Sequence, residues 1–171
     1  EADAVALSRM PIDPRTFIES FAQDARVLAD SRQARFTDSH EGEGRVACDP
    51  RWMRQVLLNL VTNAFKHTPP GTTVTLRSRL LPDRWCVDVA DEGPGVPAEL
   101  REQIFERFFR VNAASPQEKG SGLGLAICRS IVALHQGRIW AEEASARGGL
   151  RVAFEIPRTN GRTAPPPLAT G

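Results

Sequence analysis

The sequence has few cysteines, no long apolar segment and almost no net charge. Cys48, Cys86 and Cys128 are odd in number, far apart and without metal-ligand spacing, which favours reduced cytosolic thiols over disulfides. Lys and Arg total 22 and Asp and Glu total 21, so the basic excess expected of a protein that binds nucleic acid or an anionic membrane is missing. No apolar run is long enough to span a bilayer, and no signal peptide is present.

The chain begins with Glu1 rather than Met, and we therefore expect an excised domain of a longer protein. Residues 1–10 are interpreted as the end of an upstream linker, 11–157 as one domain, and 158–171 as a disordered tail rich in Pro, Thr and Gly. We expect a monomeric fragment in the cytoplasm, where it could be the cytoplasmic part of a membrane-anchored sensor.

The order of predicted elements indicates the fold class. Apolar periodicity and end signals predict helices over 14–33, 50–67, 97–103 and 122–135. Strand-rich segments cover 35–38, 45–48, 72–81, 84–90, 138–143 and 150–156. This order predicts an α/β two-layer sandwich, in which one mixed sheet is covered on one face by helices.

The helix that begins at Asp49-Pro50 carries a polar strip beside its apolar face. Asn59, Asn63 and Lys66 fall within about 60° of one another on a helical wheel. Two amides and an ammonium group on one strip suit a metal-bound phosphate, because Mg²⁺ takes hard oxygen ligands and a carboxamide adds no charge. The alternative interpretation of these residues is an ordinary solvated helix edge.

Two further segments favour a nucleotide site. Asp91 follows a predicted strand, where its carboxylate can accept a hydrogen bond from the adenine amine, and Gly93 and Gly95 permit close backbone approach. The run 120–125, Gly-Ser-Gly-Leu-Gly-Leu, opens a helix whose N-terminal N–H groups could bind phosphate. Its spacing does not match a Rossmann fingerprint, and the chain has no Gly-Lys-Ser/Thr sequence, so a P-loop is poorly supported.

Four motifs in fixed order resemble those of sensor histidine kinases, in the superfamily that also holds gyrase, heat-shock chaperone and mismatch-repair ATPases. They are 59–67 as the asparagine box, 91–95 as the first glycine box, 107–110 as the phenylalanine box, and 120–125 as the second glycine box. The resemblance covers roughly 49–157. It implies the Bergerat-type fold and the cofactors ATP and Mg²⁺.

The resemblance also implies roles for individual residues. Asn63 matches the Mg²⁺ ligand, Lys66 a phosphate contact that we group with Asn59 as catalytic, and 111–119 a lid over ATP. The residues expected to bind ATP are Asn59, Asn63, Lys66, His67, Asp91, Gly93, Gly95, Val96, Ile104, Phe109, Arg110, Gly120, Ser121, Gly122, Leu123, Gly124 and Leu125.

Asn59 favours phosphotransfer over hydrolysis. The ATP-hydrolysing relatives have Glu there as a base for water, whereas an amide cannot take a proton. The resemblance therefore implies a kinase that donates the γ-phosphate to a histidine on a separate dimerisation and phosphoacceptor domain, with a response regulator as an indirect partner. The alternatives are a serine kinase of the anti-sigma-factor type, which shares fold and site, and a nucleotide-sensing module without transfer activity.

Four remaining features also have expected positions or roles. His40 would lie in a polar turn and is not expected to accept phosphate, and His135 would be a cation or cap at a helix end. Asp88 is expected on the protein surface. At 149–151 the chain has Gly-Leu-Arg where many relatives have Ser or Thr, which puts a hydroxyl contact to the adenine region in doubt.

Overall fold

The computed structural model describes residues 6–111 and 122–158. Its helices are α1 (Pro14–Ser31), α2 (Pro50–His67) and α3 (Gly124–Leu134), with short 3₁₀ turns at Ala98–Leu100 and Gln103–Phe105. Its strands are β1 (Met10–Ile12), β2 (Arg35–Glu41), β3 (Val46–Cys48), β4 (Thr73–Leu80), β5 (Arg84–Ala90), β6 (Arg138–Ser145) and β7 (Gly148–Pro157). No helix within the described ranges combines the length and hydrophobicity that a membrane crossing requires.

Helices α1 and α2 begin with the same pair of residues, Asp followed by Pro. The Asp13 carboxylate accepts a hydrogen bond from the Arg15 amide at 2.9 Å, and the Asp49 carboxylate accepts one from the Arg51 amide at 3.1 Å. Proline at the first helical position has no N–H to leave unpaired. The predicted start of α2 is therefore confirmed.

The main sheet has five strands in the order β2-β4-β5-β7-β6. Strands β2 and β4 are parallel, and the other neighbouring pairs are antiparallel, including the predicted hairpin of β4 and β5. Strands β1 and β3 form a separate antiparallel pair. The expected mixed sheet is confirmed.

The core lies between the helices and one face of the sheet. Trp85 is fully buried there and meets the rings of Phe17 and Phe154 edge-on. Its indole Nε1 donates to Ser78 Oγ at 2.8 Å, and Ser78 Oγ lies 2.8 Å from His40 Nδ1. The polar turn predicted for His40 is wrong, because β2 continues to Glu41 and the histidine pairs with β4.

The other face of the sheet is charged, and Asp88 is buried within it. Only 7% of Asp88 is exposed, because Arg77 Nε lies 3.1 Å and Arg151 Nε 3.5 Å from its Oδ1. Alternation along β5 places Asp88 on the face opposite the core, as expected, but the surface position predicted for it is wrong. Flanking arginines on adjacent strands shield the carboxylate from water.

His135 connects the end of α3 to the start of α2. Its Nδ1–H donates to the Ile131 carbonyl at 2.8 Å, and its Nε2 accepts the Asp49 amide at 3.0 Å. Burial lowers the pKa of this imidazole, although the Ile131 carbonyl opposes that shift. His135 is therefore a neutral buried acceptor. Of its two expected roles, the cap is confirmed, because His135 is the C-cap of α3, and the cation is wrong.

Both ends of the described chain attach to the domain. The Ser8 amide donates to Asp49 Oδ2 at 2.9 Å, and Arg9 Nη2 donates to the Leu134 carbonyl at 3.1 Å. The Arg158 amide donates to the Asp83 carbonyl at 2.8 Å, and its Nε donates to the Arg45 carbonyl at 3.0 Å. Arg158 thus joins the end of β7 to two loops.

His135→Gln should change the pH dependence of stability. The lowered pKa means that the unfolded chain binds a proton below about pH 6.5 that the folded chain resists, so stability falls as pH falls through this range. Glutamine keeps a side-chain acceptor but does not titrate. We expect a loss of about 1 kcal/mol at pH 7.5 and a flatter decline towards pH 5.5, measured by urea unfolding.

A His135→Gln decline as steep as that of the wild type would contradict a neutral His135 in the folded state.

Candidate nucleotide-binding site

A cleft of about 770 Å³ opens between α2, the turn after β5, the 3₁₀ turn Gln103–Phe105 and the start of α3. Most of the predicted site residues line it together: Asn59, Asn63, Lys66, His67, Asp91, Gly95, Val96, Ile104, Phe109, Arg110, Gly122, Gly124 and Leu125. The cleft also has lining residues that were not among the expected ATP contacts: Arg32, Thr62, Phe65, Pro94, Val111 and Leu150.

Four predicted residues stand apart from this lining. Gly93 and Leu123 belong to the adjoining backbone: the Gly93 amide donates to Asp91 Oδ1, and the Leu123 carbonyl accepts the Ile127 amide in the first turn of α3. Gly120 and Ser121 lie outside the described residues, as does the predicted lid apart from Val111.

Asp91 closes one end of the cleft and is 6% exposed. Its Oδ1 accepts the Gly93 amide at 2.9 Å and the Leu150 amide at 3.1 Å. Within the described residues both hydrogen bonds end on Oδ1, so Oδ2 is the oxygen left for a donor on a ligand. Leu150 therefore contributes a backbone N–H in the segment where many relatives have a Ser or Thr hydroxyl.

A glycine permits this contact between β7 and Asp91. Gly149 has a φ of +86°, and a Cβ there would lie 2.2 Å from the Asp91 carbonyl oxygen. Any side chain would push β7 away from Asp91 and break the bond from the Leu150 amide. The Gly-Leu-Arg sequence at 149–151, where many relatives have Ser or Thr, therefore helps to hold the Asp91 carboxylate in place.

The α2 strip forms one wall of the cleft. Asn59 Nδ2 donates to the Gly124 carbonyl at 3.2 Å, which links α2 to the start of α3. Asn63 and Lys66 follow on the same wall, and the described residues offer no hydrogen bond to the Asn63 carboxamide. Lys66 is exposed at the rim. The expectation that these three side chains share one surface is confirmed.

The two aromatic residues before the lid have different positions. Phe108 has a φ of +64° and is 70% exposed, whereas Phe109 lines the cleft. The Phe108 amide donates to the Gly122 carbonyl at 3.0 Å, and a Cβ on Gly122 would lie 2.8 Å from Phe108 Cα. Only glycine fits at 122. The short helix predicted over 97–103 is present as two 3₁₀ turns, Ala98–Leu100 and Gln103–Phe105, and not as one continuous helix.

The sequence profile of the histidine kinase-, DNA gyrase B- and HSP90-like ATPases matches residues 48–160, which contain all four motifs and every lining residue of the cleft except Arg32. The chain belongs to this ATPase family. Its architecture is that of the histidine kinase catalytic domains within the family, so the Bergerat-type fold implied by the motifs is confirmed.

Curated relatives of this ATPase domain are sensor kinases. The adaptive-response sensory kinase SasA of Synechococcus sp. (strain CC9311) is 40% identical over 119 residues, 69% of this chain and 31% of SasA. The probable sensor histidine kinase TcrY of Mycobacterium tuberculosis is 36% identical over 152 residues, 88% of this chain and 31% of TcrY. The chain spans about a third of the length of the curated relatives it matches.

Solved structures agree with this placement in the family. The catalytic domain of histidine kinase ThkA has a TM-score of 0.77 and 32% identity, covering 89% of this chain and 99% of that one. Full-length ShkA, solved in complex with AMPPNP, has a TM-score of 0.80 and 30% identity, covering 98% of this chain and 34% of ShkA.

Asp91→Asn should keep the fold and weaken adenine-nucleotide binding. The Gly93 and Leu150 amides must still meet an oxygen, so the new NH₂ group takes the place of Oδ2 and faces the adenine amine donor to donor. A charged hydrogen bond contributes about 1.5–3 kcal/mol, so ADP affinity should fall by about 10- to 100-fold in calorimetry.

Asp88→Asn is the matched control, because it makes the same chemical change on the opposite face of the sheet. It should leave ADP affinity unchanged even if it lowers stability. Near wild-type ADP affinity in folded Asp91→Asn would refute the assignment of Asp91 to the adenine amine.

Proposed function

We propose that this domain binds Mg²⁺-ATP and donates the γ-phosphate to a histidine on a separate dimerisation and phosphoacceptor domain, in two-component signalling. The observation that carries the proposal is the polarity of the cleft. Amide and ammonium groups of α2 face the glycine backbone that starts α3, and one buried carboxylate, Asp91, closes the other end. Such a cleft accommodates a phosphate chain at one end and an adenine amine at the other.

The phosphate end has a donor set that fits Mg²⁺. The Asn63 carboxamide supplies a hard oxygen without extra charge, and Mg²⁺ bound this way keeps waters and phosphate oxygens as its other ligands. The bound ion would neutralise charge on the transferred group. Lys66 and the first turn of α3 would contact the phosphates. The main contribution of this chain to transfer would then be to orient the nucleotide.

The lining of the cleft favours transfer over hydrolysis. Among the described lining residues Asp91 is the sole carboxylate, and its Oδ1 is taken by the Gly93 and Leu150 amides. Asn59 cannot deprotonate water, whereas a neutral imidazole of the acceptor is already a nucleophile. A domain that lacks a carboxylate base beside the phosphates suits a nucleophile brought by a partner.

The histidines of this chain do not suit the acceptor role. Both ring nitrogens of His40 lie within hydrogen-bond distance of partners, Ser78 Oγ and the Gly42 carbonyl, and both nitrogens of His135 are bonded in the interior. His67 lines the nucleotide cleft itself. We therefore place the acceptor histidine on another domain, with a cytoplasmic location and a response regulator as the later recipient. The structural neighbour ThkA has been solved in complex with the response regulator TrrA.

Incubation with γ-labelled ATP tests the function directly. Alone, the domain should remain unlabelled and hydrolyse ATP slowly. After addition of the parent protein's phosphoacceptor domain, label should appear on that domain in an acid-labile, alkali-stable linkage, as expected for phosphohistidine.

Each other outcome of that experiment contradicts the proposal in a different way. Acid-stable label on an added protein substrate would favour the serine kinase, and nucleotide binding without any transfer would favour the sensing module. Stable label on His40, His67 or His135, or fast hydrolysis by the isolated domain, would overturn transfer to a separate histidine.

Asn63→Ala should remove the metal-dependent part of ATP binding and leave the adenine end intact. Calorimetry with and without Mg²⁺ should show that the mutant loses most of the affinity that Mg²⁺ adds, with metal-free binding close to wild type. Thr68→Ala is the control and should leave the Mg²⁺ effect unchanged, because Thr68 lies outside the cleft lining and its hydroxyl donates to the Ala64 carbonyl of the same helix. An unchanged Mg²⁺ effect in Asn63→Ala would place the metal ligand elsewhere.

A further inference from the structure

The Asn59 carboxamide is held at both of its polar ends. Gln55 Nε2 donates to Asn59 Oδ1 at 2.7 Å, and Asn59 Nδ2 donates to the Gly124 carbonyl at 3.2 Å. Asn59 lines the cleft, whereas Gln55 lies one helical turn earlier and outside the lining. Gln55 can therefore affect a bound nucleotide through Asn59.

The Gly124 carbonyl determines which way round the amide lies. A backbone carbonyl only accepts hydrogen bonds, so the nitrogen end of Asn59 must face it. The oxygen end then faces Gln55, and it is satisfied only if Gln55 presents its N–H group rather than its own oxygen. One backbone carbonyl thus fixes the orientation of two side-chain amides in series.

The surroundings of Asn59 reinforce this neutral arrangement. Cys128 is fully buried beside it, and burial raises the pKa of that thiol to about 12, with Asn59 exerting a smaller opposing effect. The thiol donates to the Val56 carbonyl at 3.7 Å and is uncharged near neutral pH. A carboxylate at position 59 would face the Gly124 carbonyl oxygen, and in this environment no cation among these neighbours would offset the repulsion.

We propose that Gln55 is a positioning residue: by donating to Asn59 Oδ1 it holds the carboxamide in the orientation that the Gly124 carbonyl selects, and so supports the link from α2 to the glycine segment that begins α3. The consequence for catalysis rests on the proposed phosphotransfer, since Asn59 is the residue next to the reacting phosphate there. The support that Gln55 gives to the Asn59 carboxamide does not depend on that function.

Two substitutions of Gln55 separate hydrogen-bond donation from shape. Gln55→Met keeps a side chain of similar length but cannot donate, and Gln55→Glu can only accept and so opposes Asn59 Oδ1 directly. Loss of a net hydrogen bond of about 0.5–1.5 kcal/mol predicts phosphotransfer slower by about 2- to 12-fold in Gln55→Met, and slower still in Gln55→Glu. Gln23→Glu, an exposed change on α1 with the same added charge, should retain the wild-type rate.

Nuclear magnetic resonance tests the orientation without any activity. The Asn59 side-chain NH₂ signals are assigned by their loss in Asn59→Ala, in the nucleotide-free domain. In Gln55→Met they should shift and exchange faster with water, because the amide is no longer held at its oxygen end. Unchanged Asn59 signals in Gln55→Met would overturn the proposal.

A double-mutant cycle separates positioning from general destabilisation. If Gln55 acts through Asn59, Gln55→Met should have no further effect on ADP affinity or transfer rate in an Asn59→Ala background. An additive effect would overturn the positioning role. If the wild-type domain transfers no phosphate at all, the proposed function fails, while the Asn59 signals in Gln55→Met still decide whether Gln55 holds Asn59 in place.

Discussion

The nucleotide end of this domain depends on two hydrogen bonds that converge on one oxygen, Asp91 Oδ1. The Gly93 amide comes from the turn after β5, and the Leu150 amide comes from β7, which runs beside it. Their joint effect is to hold a nearly buried carboxylate in one orientation before any ligand arrives. A carboxylate that has been fixed in this way loses little further freedom when it accepts a hydrogen bond from a ligand.

Helix α2 combines the demands of the core with those of the site. Its apolar face packs against the sheet and α3, and the edge of that face presents Asn59 and Asn63 to the cleft. Because these positions share a helix, their spacing is set by the helical repeat and not by loop conformation. Gln55, on the same helix, adds a further hydrogen bond that constrains one of these amides.

Sequence reasoning recovered what local periodicity and motif spacing determine. The helix start at Asp49-Pro50, the α2 strip and the position of Asp91 just after a strand all follow from patterns within a few residues. It failed where distant segments meet. Asp88 is buried by arginines on neighbouring strands. His135 is neutral because it is buried and its Nε2 accepts the backbone amide of Asp49, which lies far away in the chain.

The contribution of Leu150 was also beyond the sequence patterns, because it comes from a backbone N–H. Residue type says little about a main-chain donor. The one hint in the sequence is the neighbouring glycine, Gly149, which has a positive φ in the structure. Arg32 lines the cleft from the end of α1, and no motif marked it. Such residues become visible only when the sheet order is known.

Strand β7 has one end at the site and the other at the opposite rim of the sheet. It begins beside Asp91 and ends at Pro157, and its 10 residues span about 30 Å. Arg158 then secures the chain to the Arg45 and Leu81 carbonyls at that far rim. A fluorophore, affinity handle or fused protein attached after Arg158 would therefore start well away from the nucleotide cleft. Any force on such a group would act first on the Arg158 hydrogen bonds and not on the cleft.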